Sequence, residues 1–188
     1  RMAARGHSVT CYNRRGHHVA GAQYDADIIG DYQGVRLKNV ITIDKKGIAA
    51  MSASFFAAVI SALGRYDVVH IHAEGPAFMC WLPKLFGKRV IVTVHGLDHQ
   101  RAKWGRFASW YILSGEKNAV RYADEIIVLS RNVQDYFRAK YGRETVFIPN
   151  GTFARPQYEA DEIRKRWGLE KDSYVLFLGR IVPEKGIQ

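Results

Sequence analysis

Short apolar runs alternate with amphipathic stretches along most of the chain. RMAARG reads as the last turn of a helix closed by Gly6, and HSVTCYN then alternates in the manner of a strand. The polar, glycine-containing stretch 14–34 reads as a long loop, with a second strand over 35–43. Within 48–63, Phe55, Phe56, Val59, Ile60 and Leu63 recur at helical spacing. Gly64 ends that pattern ahead of the compact apolar run DVVHIH, which predicts a buried strand. The alternation repeats as a helix near 76–86, strand RVIVTVH, a helix near 105–122, strand EIIVLS, a helix near 131–140 and strand TVFIPN. Apolar, β-rich runs separated by helices are the pattern of a parallel sheet with helices on both faces. The expected fold is therefore α/β and Rossmann-like.

A short charged helix, DEIRKRWG at 161–168, follows the irregular stretch GTFARPQYEA, and SYVLFLG then predicts another strand. A chain of 188 residues corresponds to about 1.3 domains at ~150 residues each. We expect a Rossmann-like domain over 1–160, and a linker helix with the first strand of a second domain over 161–188. The two termini read as the end of one element and the hand-over to another, so the chain is expected to be cut at both ends.

Composition narrows the class. Hydrophobic residues make up 47% and charged residues 24%, which excludes disorder and fibrous repeats and describes a soluble folded module. The longest nearly apolar run, ASFFAAVISAL at 53–63, falls short of the ~20 residues needed to span a bilayer. Lys plus Arg number 28 against 18 Asp plus Glu, a net charge of +10. That balance favours an anionic partner without choosing among a phosphorylated small molecule, nucleic acid and an acidic membrane. Cys11 and Cys80 sit in neither a CxxC nor a Cys/His metal spacing, and no signal-peptide core is present. A reduced, cytoplasmic setting without a disulfide framework is expected.

Ligands of open parallel α/β sheets bind outside the carboxyl ends of the strands. Four such exits are chemically rich: HIHAEGP, TVHGLDHQ, IPNGT and LGRIVPEKG. In the last, a strand ends at Gly179, and Arg180 and Lys185 flank a proline-containing turn near a helix start. That outlines a diphosphate site. Here the chain resembles the retaining glycosyltransferases of family 4, whose second domain opens with a strand running into G-R-x-x-x-x-K-G; this chain reads GRIVPEKG. RMAARGHSVTCY, DVVHIH, EKNAVRYADEIIVLS and IPNG resemble the family's pattern in order along nearly the whole chain. TVHGLDHQRAKWG is similar to a bacterial subgroup that builds surface polysaccharides, where HGLD is typically followed by Trp; here the residue is His99.

The resemblance implies a two-domain GT-B architecture, of which this chain is the acceptor-side half without its first strand and glycine-rich loop. It implies transfer of a sugar, with retention, from a nucleotide diphosphate sugar to a glycan or lipid-linked acceptor in cell-surface polysaccharide synthesis. Arg180 and Lys185, beside Gly179, would bind the donor diphosphate and stabilise the charge that grows on it, with no divalent metal and no cofactor required. His95 would lie beside the transferred sugar, projecting into the cleft where an apolar strand meets a glycine. Glu74, Asp98 and Asn150 are candidates for acceptor or sugar contacts, although Glu74 and Asp98 fit equally as caps of a turn or helix. The family's E-x-x-x-x-x-x-x-E segment is not among these residues, so the 188 residues alone are expected to be inactive. A nucleotide-sugar epimerase of the same architecture and a non-catalytic glycan- or lipid-binding module are the rival readings.

Two further patterns bear on partners. His95 and His99 have the i, i+4 spacing of helical metal ligands, but Gly96 and the strand end remove the helix that spacing needs, so no metal is expected. Arg101, Lys103, Arg106, Lys117 and Arg121 surround Trp104, Phe107, Trp110, Tyr111 and Ile112. That helix either rests peripherally on the anionic inner face of the plasma membrane or packs its aromatics on the sheet. No RNP, helix-turn-helix or zinc-finger pattern supports a nucleic-acid partner.

Overall fold

The computed structural model describes residues 1–15, 30–45, 47–100, 104–152, 156, 159, 161–179 and 186. The chain forms two compact units, Arg1–Pro149 and Asn150–Gln188. The division falls ahead of the boundary at 160 expected from the sequence.

The first unit is α/β and contains two sheets. The smaller has the order β1-β3-β2, with β1 (Val9–Arg14) parallel to β3 (Val35–Val40) and β2 (Asp31–Tyr32) antiparallel to β3. β2 lies where the sequence predicted loop. Gln33 and Gly34 both adopt positive φ, 51° and 78°, the geometry of a two-residue hairpin turn. The Asp31 carboxylate accepts from the Gly34 N–H at 3.1 Å. The larger sheet is fully parallel in the order β4-β5-β6-β7: β4 Val68–His72, β5 Arg89–Val94, β6 Glu125–Val128 and β7 Val146–Phe147. Its centre is dry. Val90, Val92, Val94, Ile126 and Val128 are completely buried and pack with Phe137, Ala119 and Cys80, as expected of central parallel strands covered on their faces.

β4 departs from the buried strand that DVVHIH predicted. Its residues alternate between exposed and half-buried, and Val68 is 46% exposed. The reason is position: among the described residues β4 is the edge of the larger sheet and pairs with β5 alone. Residues of β1 (Val9, Thr10, Tyr12) and of β4 (Val68, His70, His72), with α1 beside them, line an open cavity of about 610 Å³. The Tyr12 and Tyr66 hydroxyls hydrogen-bond at 2.7 Å.

Helix α1 (Ala49–Leu63) forms where the apolar period placed it, but buries a different face. Ala49, Ala53, Ala58, Ser61 and Ala62 are buried, whereas Phe55, Ile60 and Leu63 are exposed. The helix expected near 76–86 divides into α2 (Glu74–Ala77) and α3 (Trp81–Leu85). Pro83 has no N–H to give to the Met79 carbonyl, which accepts from the Leu82 N–H at 3.1 Å in a tighter turn. Helix α4 (Arg106–Tyr122) packs on α2. Helix α5 (Arg131–Tyr141) is capped by the Ser130 hydroxyl and closed by Gly142 at φ 61°.

The second unit contains α6 (Asp161–Trp167). SYVLFLG, predicted as a strand, forms no ladder: residues 174–178 are unpaired, and Val175 is 100% exposed. A strand is held by a neighbour's backbone groups, and no such neighbour lies among the described residues.

Candidate functional site

The carboxyl ends of β4 and β5 bring three histidines together. His70 Nε2 lies 2.7 Å from the Thr93 hydroxyl, and His72 Nδ1 lies 3.2 Å from His95 Nε2. Ring centroids are 4.3 Å apart for His70 and His72 and 5.5 Å for His72 and His95. The register explains the grouping, because His72 pairs with Thr93 and each strand ends immediately afterwards. Desolvation, followed by the neighbouring His72 and His95, pushes His70 down to about 4; desolvation and His95 lower His72 as well. At neutral pH those two imidazoles are uncharged and act as directional donors and acceptors rather than as cations. His95 is exposed at the end of β5, where a ligand at the strand ends would meet it.

Between β4 and α2 the main chain turns sharply. Ala73 adopts φ 74°, ψ 157°, a region populated almost entirely by glycine, and its N–H donates to the Thr93 carbonyl at 2.8 Å. The turn drives Glu74 inward. Its side chain is completely buried, and Oε2 accepts from the Asp98 N–H at 2.8 Å. Glu74 thus anchors the 3₁₀ turn Asp98–Gln100 that follows His95, and Asp98 lies at the start of that turn. Both residues were sequence candidates for hydroxyl contacts, and the structure ties one to the other.

Glu116 of α4 is also completely buried. Its Oε1 accepts from the hydroxyls of Tyr136 (2.9 Å) and Tyr141 and from Lys140 Nζ (3.1 Å). Burial first, and the neighbouring Glu116 second, push Glu74 up to about 9. Burial opposes ionisation of Glu116 too, but its contacts with Glu74, Tyr141, Lys140 and Tyr136 outweigh it and hold Glu116 below the usual carboxylate range. Of the two, Glu74 keeps the proton. The sequence reading missed Glu116. Its signal was a glutamate on the α4 face that also carries Ile112 and Ala119, both buried, where a charge needs built-in partners.

The remaining candidates fall elsewhere. Asn150 is exposed at the start of the second unit, and Gly179 is among that unit's described residues. Arg180, Lys185, Arg101 and Lys103 lie outside the described residues. On α4 the aromatics divide: Tyr111 and Ile112 are buried, whereas Phe107 is 65% and Trp110 57% exposed. No helix among the described residues is long and apolar enough to cross a membrane.

A Rossmann-like α/β unit with polar side chains gathered at the ends of its parallel strands is a ligand-binding architecture. Residues 1–152 match the family described as Glycosyltransferase Family 4. The chain is 26% identical over 136 residues to an alpha-D-kanosaminyltransferase of Streptomyces kanamyceticus, covering 64% of this chain and 35% of that protein. It is 29% identical over 160 residues to a D-inositol 3-phosphate glycosyltransferase of Thermobispora bispora, covering 76% of this chain and 37% of that protein. The chain belongs to glycosyltransferase family 4. It spans about a third of the length of these two relatives.

Proposed function

We propose that the chain is the acceptor-side part of a retaining glycosyltransferase that moves a sugar from a nucleotide diphosphate sugar to a glycan or lipid-linked acceptor. The observation that carries this reading is the family match over 1–152, together with the exposed His95 where the ligands of such sheets bind. In this reading His95 contacts the transferred sugar. Arg180 and Lys185 hold the donor diphosphate and stabilise the charge that develops as the glycosidic bond breaks. Asp98 and Asn150 are the candidates for acceptor hydroxyls; Glu74 acts through Asp98, whose N–H it holds. The exposed stripe on α4, where Arg106, Trp110, Lys117 and Arg121 follow one another at helical spacing, supports peripheral contact with an anionic inner-membrane surface bearing a lipid-linked acceptor.

The test uses the complete protein with a panel of nucleotide sugars and lipid-linked acceptors, scoring nucleotide diphosphate release. Release should require acceptor and fall at least ~10²-fold in Lys185→Ala and in His95→Ala, a loss of about 2.7 kcal/mol of transition-state stabilisation. Donor isomerised without acceptor would replace this reading with an epimerase. Acceptor binding without donor consumption would leave a binding module.

A further inference from the structure

Behind the histidines of the strand ends, three segments converge on one buried point. Glu74 comes from α2, His99 from the turn Asp98–Gln100 and Glu116 from α4. One ligand-capable atom from each lies within 4.8 Å of the others. His99 Nδ1 is 3.6 Å from Glu74 Oε1 and 3.3 Å from Glu116 Oε2. All three atoms are buried without a hydrogen-bond partner. The opposite carboxylate oxygens are engaged: Glu74 Oε2 by the Asp98 N–H, and Glu116 Oε1 by Lys140, Tyr136 and Tyr141. The outer contacts thus orient both carboxylates so that a bare oxygen points inward, toward a bare nitrogen.

Orphaned buried polar atoms are costly, and three that face one another call for a common partner. We propose that Glu74, His99 and Glu116 form a binding site for a divalent transition-metal ion of the zinc class. Bonds of 2.0–2.2 Å place tetrahedral ligand atoms about 3.4 Å apart, and the two distances from His99 Nδ1 bracket that value. One imidazole with two carboxylates suits zinc and its neighbours, whereas magnesium and calcium favour all-oxygen shells. The hydrogen bonds on the outer oxygens are the supports that metal-ligating carboxylates require. The ion would fasten the turn beside His95 to α2 and α4. The inference does not rest on the transferase reading.

The test titrates Zn²⁺ or Co²⁺ alone into the purified, chelator-treated protein. One equivalent of Co²⁺ should bind and develop the visible absorption of a four-coordinate site, and Zn²⁺ should displace it. Zn²⁺ at ~100-fold excess over its Kd should raise the Tm by roughly 5–10 °C, and Mg²⁺ should leave it unchanged. His99→Gln and Glu116→Gln, each confirmed as folded by circular dichroism, should bind at least ~10²-fold more weakly. His95→Gln should bind as the parent does. Absence of stoichiometric Co²⁺ binding by the folded protein overturns the proposal. So does binding that survives in His99→Gln but is lost in His95→Gln, which would put the ion on the strand-end histidines.

Discussion

At Ala73 the main chain holds φ 74°, ψ 157°, a conformation that costs a residue with a Cβ on the order of 1–3 kcal/mol. It persists because the Ala73 N–H is fixed to Thr93 and the next residue is buried. Glycine removes the clash and gives back about 0.4–1 kcal/mol through the freer unfolded chain. Ala73→Gly should therefore stabilise by about 1 kcal/mol, a rise of roughly 2–4 °C in Tm, and Ala73→Val should lower the Tm. Thermal unfolding of the two variants decides the sign. A fall in Ala73→Gly would mean that the turn is not strained. Nothing in HIHAEGP announces this conformation, because alanine carries no turn signal. Glu116 was more legible, as a charge on a helix face otherwise turned inward.

Among the elements, the contact of α2 with α4 admits no side chain at Gly115. A Cβ there would lie 1.9 Å from the Glu74 carbonyl oxygen and 3.0 Å from the Phe78 nitrogen. Alanine is the better helix former by about 1 kcal/mol, but the clash is with backbone that has nowhere to go. Gly115→Ala should cost at least ~2 kcal/mol net and part the two helices that carry Glu74 and Glu116. Gly75→Ala, with open space around the added methyl, is the matched control and should change stability by less than ~1 kcal/mol. Urea unfolding midpoints separate the two, and equal midpoints would show that the helices yield freely. A glycine inside an apolar helix was a readable sign of close approach. The face of α1 was not so readable: its alanines, rather than Phe55 and Leu63, meet the rest of the fold, because small residues let a neighbour approach where large ones cannot. SYVLFLG shows the other limit, since β-propensity names a strand but cannot supply the edge it pairs with.

On the scale of the whole molecule, the alternation of strands and helices conveyed a parallel sheet but not its strand order, and the gap between the two sheets was invisible to it. Periodicity reports which face of a strand is apolar and says nothing of what lies along its edges. Among the described residues, one edge of β1 and one edge of β4 carry no ladder partner, and both strands line the same cavity. Edges of this kind are templates for another strand. Among the described residues, the cavity lined by β1 and β4 is the place in this unit where two strand edges border one space. Its apolar lining, Val9, Val40, Val68 and Ile71 among others, suits a strand buried on its faces. A strand seated there would join the two sheets into one. The expected outcome is a contrast in hydrogen exchange within each of these two strands. The alternate amides of Val9–Arg14 and Val68–His72 that do not bond β3 or β5 should exchange at least ~10²-fold faster than those that do, because they lack a ladder partner. Equal exchange of the two sets would mean that the edges already have a partner and that the space between the sheets is closed in solution.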